Sequence, residues 1–368
     1  MSVVAAPAQA APEDCNPKKG TLKLPASEPW AQKRLDIKNA WRLTRGAGVT
    51  VAVVDSGADY HPQVQISKII DETHTGHRDC VGHGTAVSGI IGARYVAGVP
   101  FHGVAPDAKI VMVKQSNKTE GDITKLISAI DDAVAAKPEV INVSVRASDH
   151  PQLRAAIQRA LDQDIVVVAA AGNVTGPDDQ DVPAYPAAYE GVLAVGSATP
   201  DGRRADSSNA ATPVGVLGPG TDITAPWPGR SYMRGLQGTS FAAPYVAGTA
   251  ALVRARFPQL TQEQVRRRII ATADGTAGAG TGAGMVNPLL AITAVLPYER
   301  GDAPVVAEPL PSALPADAIA KVPPRDETAI GIAMAVGAGV LVAIMVAGGL
   351  ALLIPLGRRR GWRPGRAS

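Results

Sequence analysis

The sequence predicts an α/β fold, a mostly parallel sheet with helices on both faces, followed by one C-terminal transmembrane helix. Three observations carry that prediction. Short runs of β-branched and small apolar residues recur between residues 35 and 296, with no polar face of their own. Segments of helical character separate several of these runs, and such alternation argues for parallel strands covered on both sides. A long charge-free apolar stretch then closes the chain.

Taken in order, residues 1–34 read as a signal remnant and an N-terminal arm. Ala8-Gln9-Ala10 has the form of a cleavage site, yet no basic segment precedes it and only Val3 to Ala6 could serve as an apolar core. Either the true start lies upstream of Met1, or this is what remains of a signal. An unprocessed cytosolic start would instead strand the large domain on the side opposite to the one its arginines predict.

Residues 35–296 form the predicted domain. Val49 to Val54, bounded by Gly48 and Asp55, is the first strand, and Ile110 to Val113, Val140 to Val145, Ile165 to Ala170 and Val192 to Val195 read similarly. Helical stretches include Ile123 to Ala136 and Leu153 to Leu161. Residues 297–327 are rich in proline, from Pro304 to Pro324, and predict a semi-extended tether.

Residues 328–357 carry no charge, and Ile330 to Leu356 is almost wholly apolar. A bilayer core about 30 Å thick needs roughly 20 helical residues, so this run spans it with some to spare. A buried core helix would show one polar face, and none is visible. Small residues recur at Gly331, Ala335, Gly339, Ala343, Ala347 and Ala351, a spacing that lets a partner helix approach closely and that an Ala- and Gly-rich segment also produces by chance. The tail, residues 358–368, holds Arg358, Arg359, Arg360, Arg363 and Arg366, which places it in the cytoplasm and everything before Thr328 across the membrane.

Those arginines account for the basic character. The formal net charge is +3, so the body upstream is close to neutral and implies no nucleic-acid-binding face. Apolar residues make up 46% of the chain, enough for a sizeable core. Cys15 and Cys80 are the only cysteines, and an even pair in an exported chain predicts one disulfide, the alternative being two unrelated thiols.

Chemistry-bearing residues gather in three segments. Asp55 closes the first strand, and open parallel sheets collect functional groups at the carboxyl ends of their strands, although an Asp there also caps turns. Gly82-His83-Gly84-Thr85 opens a helical run through Ala93, where a lone histidine could equally be structural. Gly238 to Pro244 starts another helix, to about Arg256, placing Ser240 where free backbone N–H groups favour developing negative charge. A lone serine there is more often an N-cap. Together the three mean more, because serine becomes a nucleophile when a base takes its proton and a carboxylate orients that base. The order is Asp, His, Ser, and no histidine follows Ser240, which excludes the α/β-hydrolase order.

The segments around Asp55, His83 and Ser240 resemble the three signature motifs of the subtilase superfamily. Gly103 to Ala108 and Tyr185 to Tyr189 resemble further segments of it, and the similarity runs from about Leu35 to Ile292. Within the superfamily the layout resembles the mycosins, proteases attached to type VII secretion systems of actinobacteria. Gly238 to Tyr245, His83 to Val87, the cysteine-bearing arm, the Pro-rich tether and the C-terminal span carry that likeness. The resemblance implies a subtilisin-like fold and a serine endopeptidase acting on protein or peptide substrates, with type VII membrane components as partners. It makes Asp55, His83 and Ser240 the triad and gives Asn173, in Ala170-Ala171-Gly172-Asn173, a share of the oxyanion hole with the Ser240 N–H. It makes Ser144 and Val145 substrate-binding, and it implies no cofactor; no loop is specific enough to assign a metal.

Two departures stand out. Ser144-Val145-Arg146 holds a bulky cation where most subtilases have glycine, and mycosins also depart there. About 34 residues precede the domain, too few for the usual folding pro-domain, so the arm reads as a structural wrap held by Cys15 and Cys80. A second reading, from a different class, is a structural subunit of a secretion complex with a secondary or silent site. Among other histidines, His61 reads as a turn residue, His74 and His77 as a solvated loop pair, and His102 and His150 have no evident partner.

Overall fold

β-branched runs bounded by turn residues build the sheet that carries the site. The computed structural model describes residues 15–118, 121–174, 182–275, 278–299 and 327–361. Helices α1 (Trp30–Arg34) and α2 (Ile37–Ala40) precede strands β1 (Thr50–Asp55) and β2 (Ile66–Asp71). Next come α3 (His83–Gly92), β3 (Lys109–Lys114), α4 (Ile123–Ala135), β4 (Val140–Val143), α5 (Pro151–Asp162), β5 (Val166–Ala170) and β6 (Leu193–Ala198). β7 (Val216–Pro219), β8 (Ile223–Trp227) and β9 (Ser231–Leu236) follow, then α6 (Thr239–Arg256), α7 (Gln262–Ala271) and α8 (Pro288–Thr293). The apolar helix α9 (Glu327–Arg359) belongs to a separate unit.

Seven parallel strands form one sheet in the order β2-β3-β1-β4-β5-β6-β7, and β8 and β9 form an antiparallel hairpin. Side chains alternate across the sheet. Val51 and Val53 pack with Ile90, Ile91, Val246 and Ala250 of α3 and α6. Ala52 and Val54 pack with Leu126, Ile130, Leu153 and Ile157 of α4 and α5. Both faces are therefore dry, which is why the strands lack a polar alternation. The chain leaves β1 toward β3 and β2 on one side and resumes at β4 on the other. The carboxyl ends of β1 and β4 thus border the crevice where open α/β sheets place their sites.

β4 ends at Val143, two residues before the sequence reading, because residues 144–146 leave the sheet to line that crevice. The expected Cys15–Cys80 disulfide is present, with Cα atoms 4.6 Å apart. Beyond it the arm pairs Leu22 with Tyr232 of β9, and Trp227 Nε1 donates to the Lys18 carbonyl at 2.7 Å. Glu28 accepts from His102 Nε2 at 2.9 Å, so His102 has a partner after all, invisible locally because 74 residues separate the two. His150 caps α5, its Nδ1 accepting from the Gln152 N–H. His61 opens the turn it was expected in, its carbonyl accepting from Val64 N at 3.0 Å, and its side chain is buried against the Tyr232 ring. His74 and His77 are exposed.

Within α9, the 24-residue segment Met334–Gly357, with a mean hydropathy of 2.5 over an 18-residue window, is long and apolar enough to cross a bilayer. The signal-like segment, the Pro-rich stretch and Arg363 and Arg366 lie outside the described residues.

Candidate active site

β1 ends on Asp55, whose buried carboxylate faces the start of α3. His83 Nδ1 lies 2.8 Å from Asp55 Oδ1 and 3.0 Å from Oδ2, and Nε2 lies 2.9 Å from Ser240 Oγ. An ionised carboxylate only accepts, so this network assigns the proton to Nδ1 and leaves Nε2 to accept from the hydroxyl. Burial pulls the His83 imidazole down, but the Asp55 carboxylate, with Asp79 adding to it, outweighs burial and raises its pKa. Two glycines permit the approach. Gly82 has φ +87°, with a Cβ there falling 2.3 Å from Trp227, and a Cβ on Gly84 would fall 2.1 Å from the Gly57 carbonyl.

Ser240 is the second residue of α6, so its N–H has no acceptor within the helix. Asn173 follows β5, and its Oδ1 accepts from Thr239 N at 2.9 Å and Thr239 Oγ1 at 3.2 Å. That fixes the amide with Nδ2 as the remaining donor end, and Asn173 and Ser240 line the same cleft. Pro244 lies inside α6 and has no N–H for the Ser240 carbonyl four residues back. Ser144 Oγ donates to that carbonyl instead, at 2.9 Å. Asn142 Nδ2 in turn donates to Ser144 Oγ at 2.9 Å, so the Ser144 hydroxyl faces α6.

The subtilase family profile matches residues 46–288. This chain belongs to the subtilase family. It is a serine endopeptidase with a subtilisin-like fold. Its relatives include Mycosin-1 of Mycolicibacterium smegmatis, 32% identical over 87% of this chain and 83% of that one. Mycosin-4 of Mycobacterium tuberculosis is 35% identical over 90% of this chain and 82% of that one. Crystal structures agree: MycP1 from Mycobacterium smegmatis superposes with a TM-score of 0.69 at 31% identity, covering 84% of this chain and 99% of that one. MycP1 from the ESX-1 type VII secretion system gives a TM-score of 0.69 at 30% identity, covering 79% and 94%.

In this subtilase Val145 and Ser144 line the cleft beside Arg146, which is exposed and donates through Nη1 to the Asn173 carbonyl at 3.2 Å. The cation therefore lies across the wall between the β4 and β5 ends, where a glycine would leave an open floor. The Phe241 ring tilts against His83 with centroids 4.9 Å apart. Sequence reasoning missed Asp79 and Ser56, which stand behind Asp55 and His83. Only an Asp shortly before a helix start signalled the first, in the manner of an N-terminal cap.

Proposed function

We propose that this chain is a membrane-anchored endopeptidase of a type VII secretion apparatus, with Asp55, His83 and Ser240 as its catalytic triad. One observation carries the proposal: a single imidazole is hydrogen-bonded to a buried carboxylate through one nitrogen and to a helix-start serine through the other. In the reaction, Ser240 Oγ attacks the scissile carbonyl as His83 Nε2 takes its proton, and Asp55 holds the tautomer and stabilises the imidazolium. The Ser240 N–H and Asn173 Nδ2 donate to the oxyanion. The same imidazolium then returns its proton to the leaving amine. Residues 144–146 offer backbone along which an extended exported protein segment lies, with Ser144 and Val145 as binding residues and Arg146 narrowing the channel.

The domain division 1–34, 35–296, 297–327, 328–357 and 358–368 follows from the same reading. The apolar helix anchors the chain, the tether spaces the protease from the bilayer, and the arginines keep the C-terminus cytoplasmic. A disulfide suits the extracytoplasmic side. Association with a type VII complex is supported by the mycosin relatives and by MycP1 of the ESX-1 system.

The test is covalent. A fluorophosphonate is expected to label the wild-type chain and not Ser240→Ala; an unlabelled wild type would sink the triad. Comparing secretion in a Ser240→Ala strain with that in a deletion strain then isolates any scaffold contribution.

A further inference from the structure

Resting on the triad reading above, we infer that Asp79 is a positioning residue for the reaction: a second buried carboxylate that holds Asp55 and His83 in register through Ser56 and the first turn of α3. Asp79 is fully buried. A carboxylate in such a place is costly unless its oxygens are occupied. Five donors occupy them. Oδ1 accepts from Ser56 Oγ at 2.8 Å, Val81 N at 3.1 Å and Gly82 N at 2.7 Å. Oδ2 accepts from Thr85 N at 2.8 Å and Thr85 Oγ1 at 2.7 Å. Every group around it donates, so the cage fits the ionised form. Burial, with the neighbouring Asp55 charge adding to it, raises the pKa of this carboxyl on balance, and the five donors oppose that push.

What the cage holds is the site. Gly82 directly precedes His83, and Thr85 follows two residues later. Ser56 Oγ accepts from the Gly84 N–H at 3.0 Å and lies 3.2 Å from Asp55 Oδ1. A hydroxyl has one proton, and the shorter contact gives it to Asp79. The Asp55 oxygens then keep the Ser56 N–H and the imidazole as their partners, and both carboxylates present negative charge to the ring. That charge favours the imidazolium formed when the Ser240 proton moves to Nε2.

The surroundings are fixed as firmly. Lys114, buried at the end of β3, donates through Nζ to the carbonyls of Gly76 and Arg78, each at 2.8 Å. The loop leading to His83 is thus held at its carbonyls by an ammonium and at its N–H groups by Asp79. The charged groups facing Asp79 and Lys114 are Asp55, Asp59, Asp71 and Arg78, and those facing His83 are Asp55 and Asp79, with Ser240 and the Phe241 ring completing its surround.

The experiment measures the rate of fluorophosphonate labelling of the full-length chain in detergent, across the pH range where imidazole titrates. Asp79→Asn, which removes the charge, is expected to label about tenfold more slowly and to shift the acid midpoint to lower pH by roughly half a unit or more. Asp79→Glu, which keeps the charge, is expected to restore the wild-type midpoint. Asp79→Asn labelling with the wild-type rate and midpoint overturns the inference while leaving the triad intact. Lower thermal stability with an unchanged profile overturns it equally, because that is what a purely structural residue gives. Should Asp79→Asn not fold, Ser56→Ala decides: slowed labelling supports the inference and wild-type labelling overturns it. An unlabelled wild type removes both this inference and the triad.

Discussion

Ser144 illustrates how a side chain outside the proposed triad comes to hold the backbone of Ser240. Pro244 leaves the Ser240 carbonyl without its helical donor, and the Ser144 hydroxyl supplies one. Ser144→Ala is expected to leave that buried acceptor unpaired, at about 1–3 kcal/mol, read as a lower thermal midpoint together with slower labelling of Ser240. Asn173, proposed above as an oxyanion donor, presents the complementary case, a group whose loss should tell only when the oxyanion forms. Asn173→Ala is expected to lower kcat with KM nearly unchanged; the loss known for the equivalent donor of subtilisin is about 10²–10³. An equal fall in affinity for substrate would reject that assignment. Asp55, His83 and Ser240 were legible because residue type, glycine context and chain order all narrow the choice. Asp79 and Ser56 were not, because their roles arise from contacts across a loop whose path no local pattern encodes.

Among the elements, β1, β3, β4, β5 and β6 were legible as apolar runs because both of their faces are dry. β2 was not, since it is a half-exposed edge strand, and the β8–β9 hairpin was not, since Pro226 and Gly235 interrupt any alternation. That hairpin receives the arm, through Leu22 on Tyr232 and Lys18 on Trp227. His61 packs against the same Tyr232, and burial lowers its pKa to about 4. Its folded value lies below the unfolded value of 6.5, so the stability it represents is complete above about pH 6.5 and is lost as pH falls toward 4. The loss reaches up to ~3 kcal/mol. Chemical denaturation over that range should show it, and His61→Gln should flatten the profile; an unchanged slope in the variant would clear His61 of the effect. Cys15 and Cys80 close the arm over a separation of 65 residues. Chain entropy alone assigns such a closure ~4 kcal/mol, so reduction is expected to lower the thermal midpoint markedly.

At the scale of the whole molecule, composition alone separated the protease unit from the apolar helix, because a bilayer and a protein core select different patterns. A core helix buries one stripe and wets the other; α9 is apolar on every side, and its described side chains between Gly331 and Leu356 are almost all exposed. In water that surface is unfavourable by roughly 25 cal/mol for each Å² of apolar area, which a bilayer relieves without any protein partner. The full chain is therefore expected to remain with membranes through an alkaline carbonate wash and to leave only with detergent. A chain ending at residue 299 is expected in the soluble fraction, labelled by fluorophosphonate at the full-length rate, since no described part of the site comes from α9. Orientation is testable in the same cells. An epitope placed after Ser368 should resist protease added to spheroplasts while the protease unit is released, because moving the arginine cluster across the bilayer core is costly. A full-length chain that washes free in carbonate, or an epitope digested from outside, would overturn the anchoring and its direction respectively.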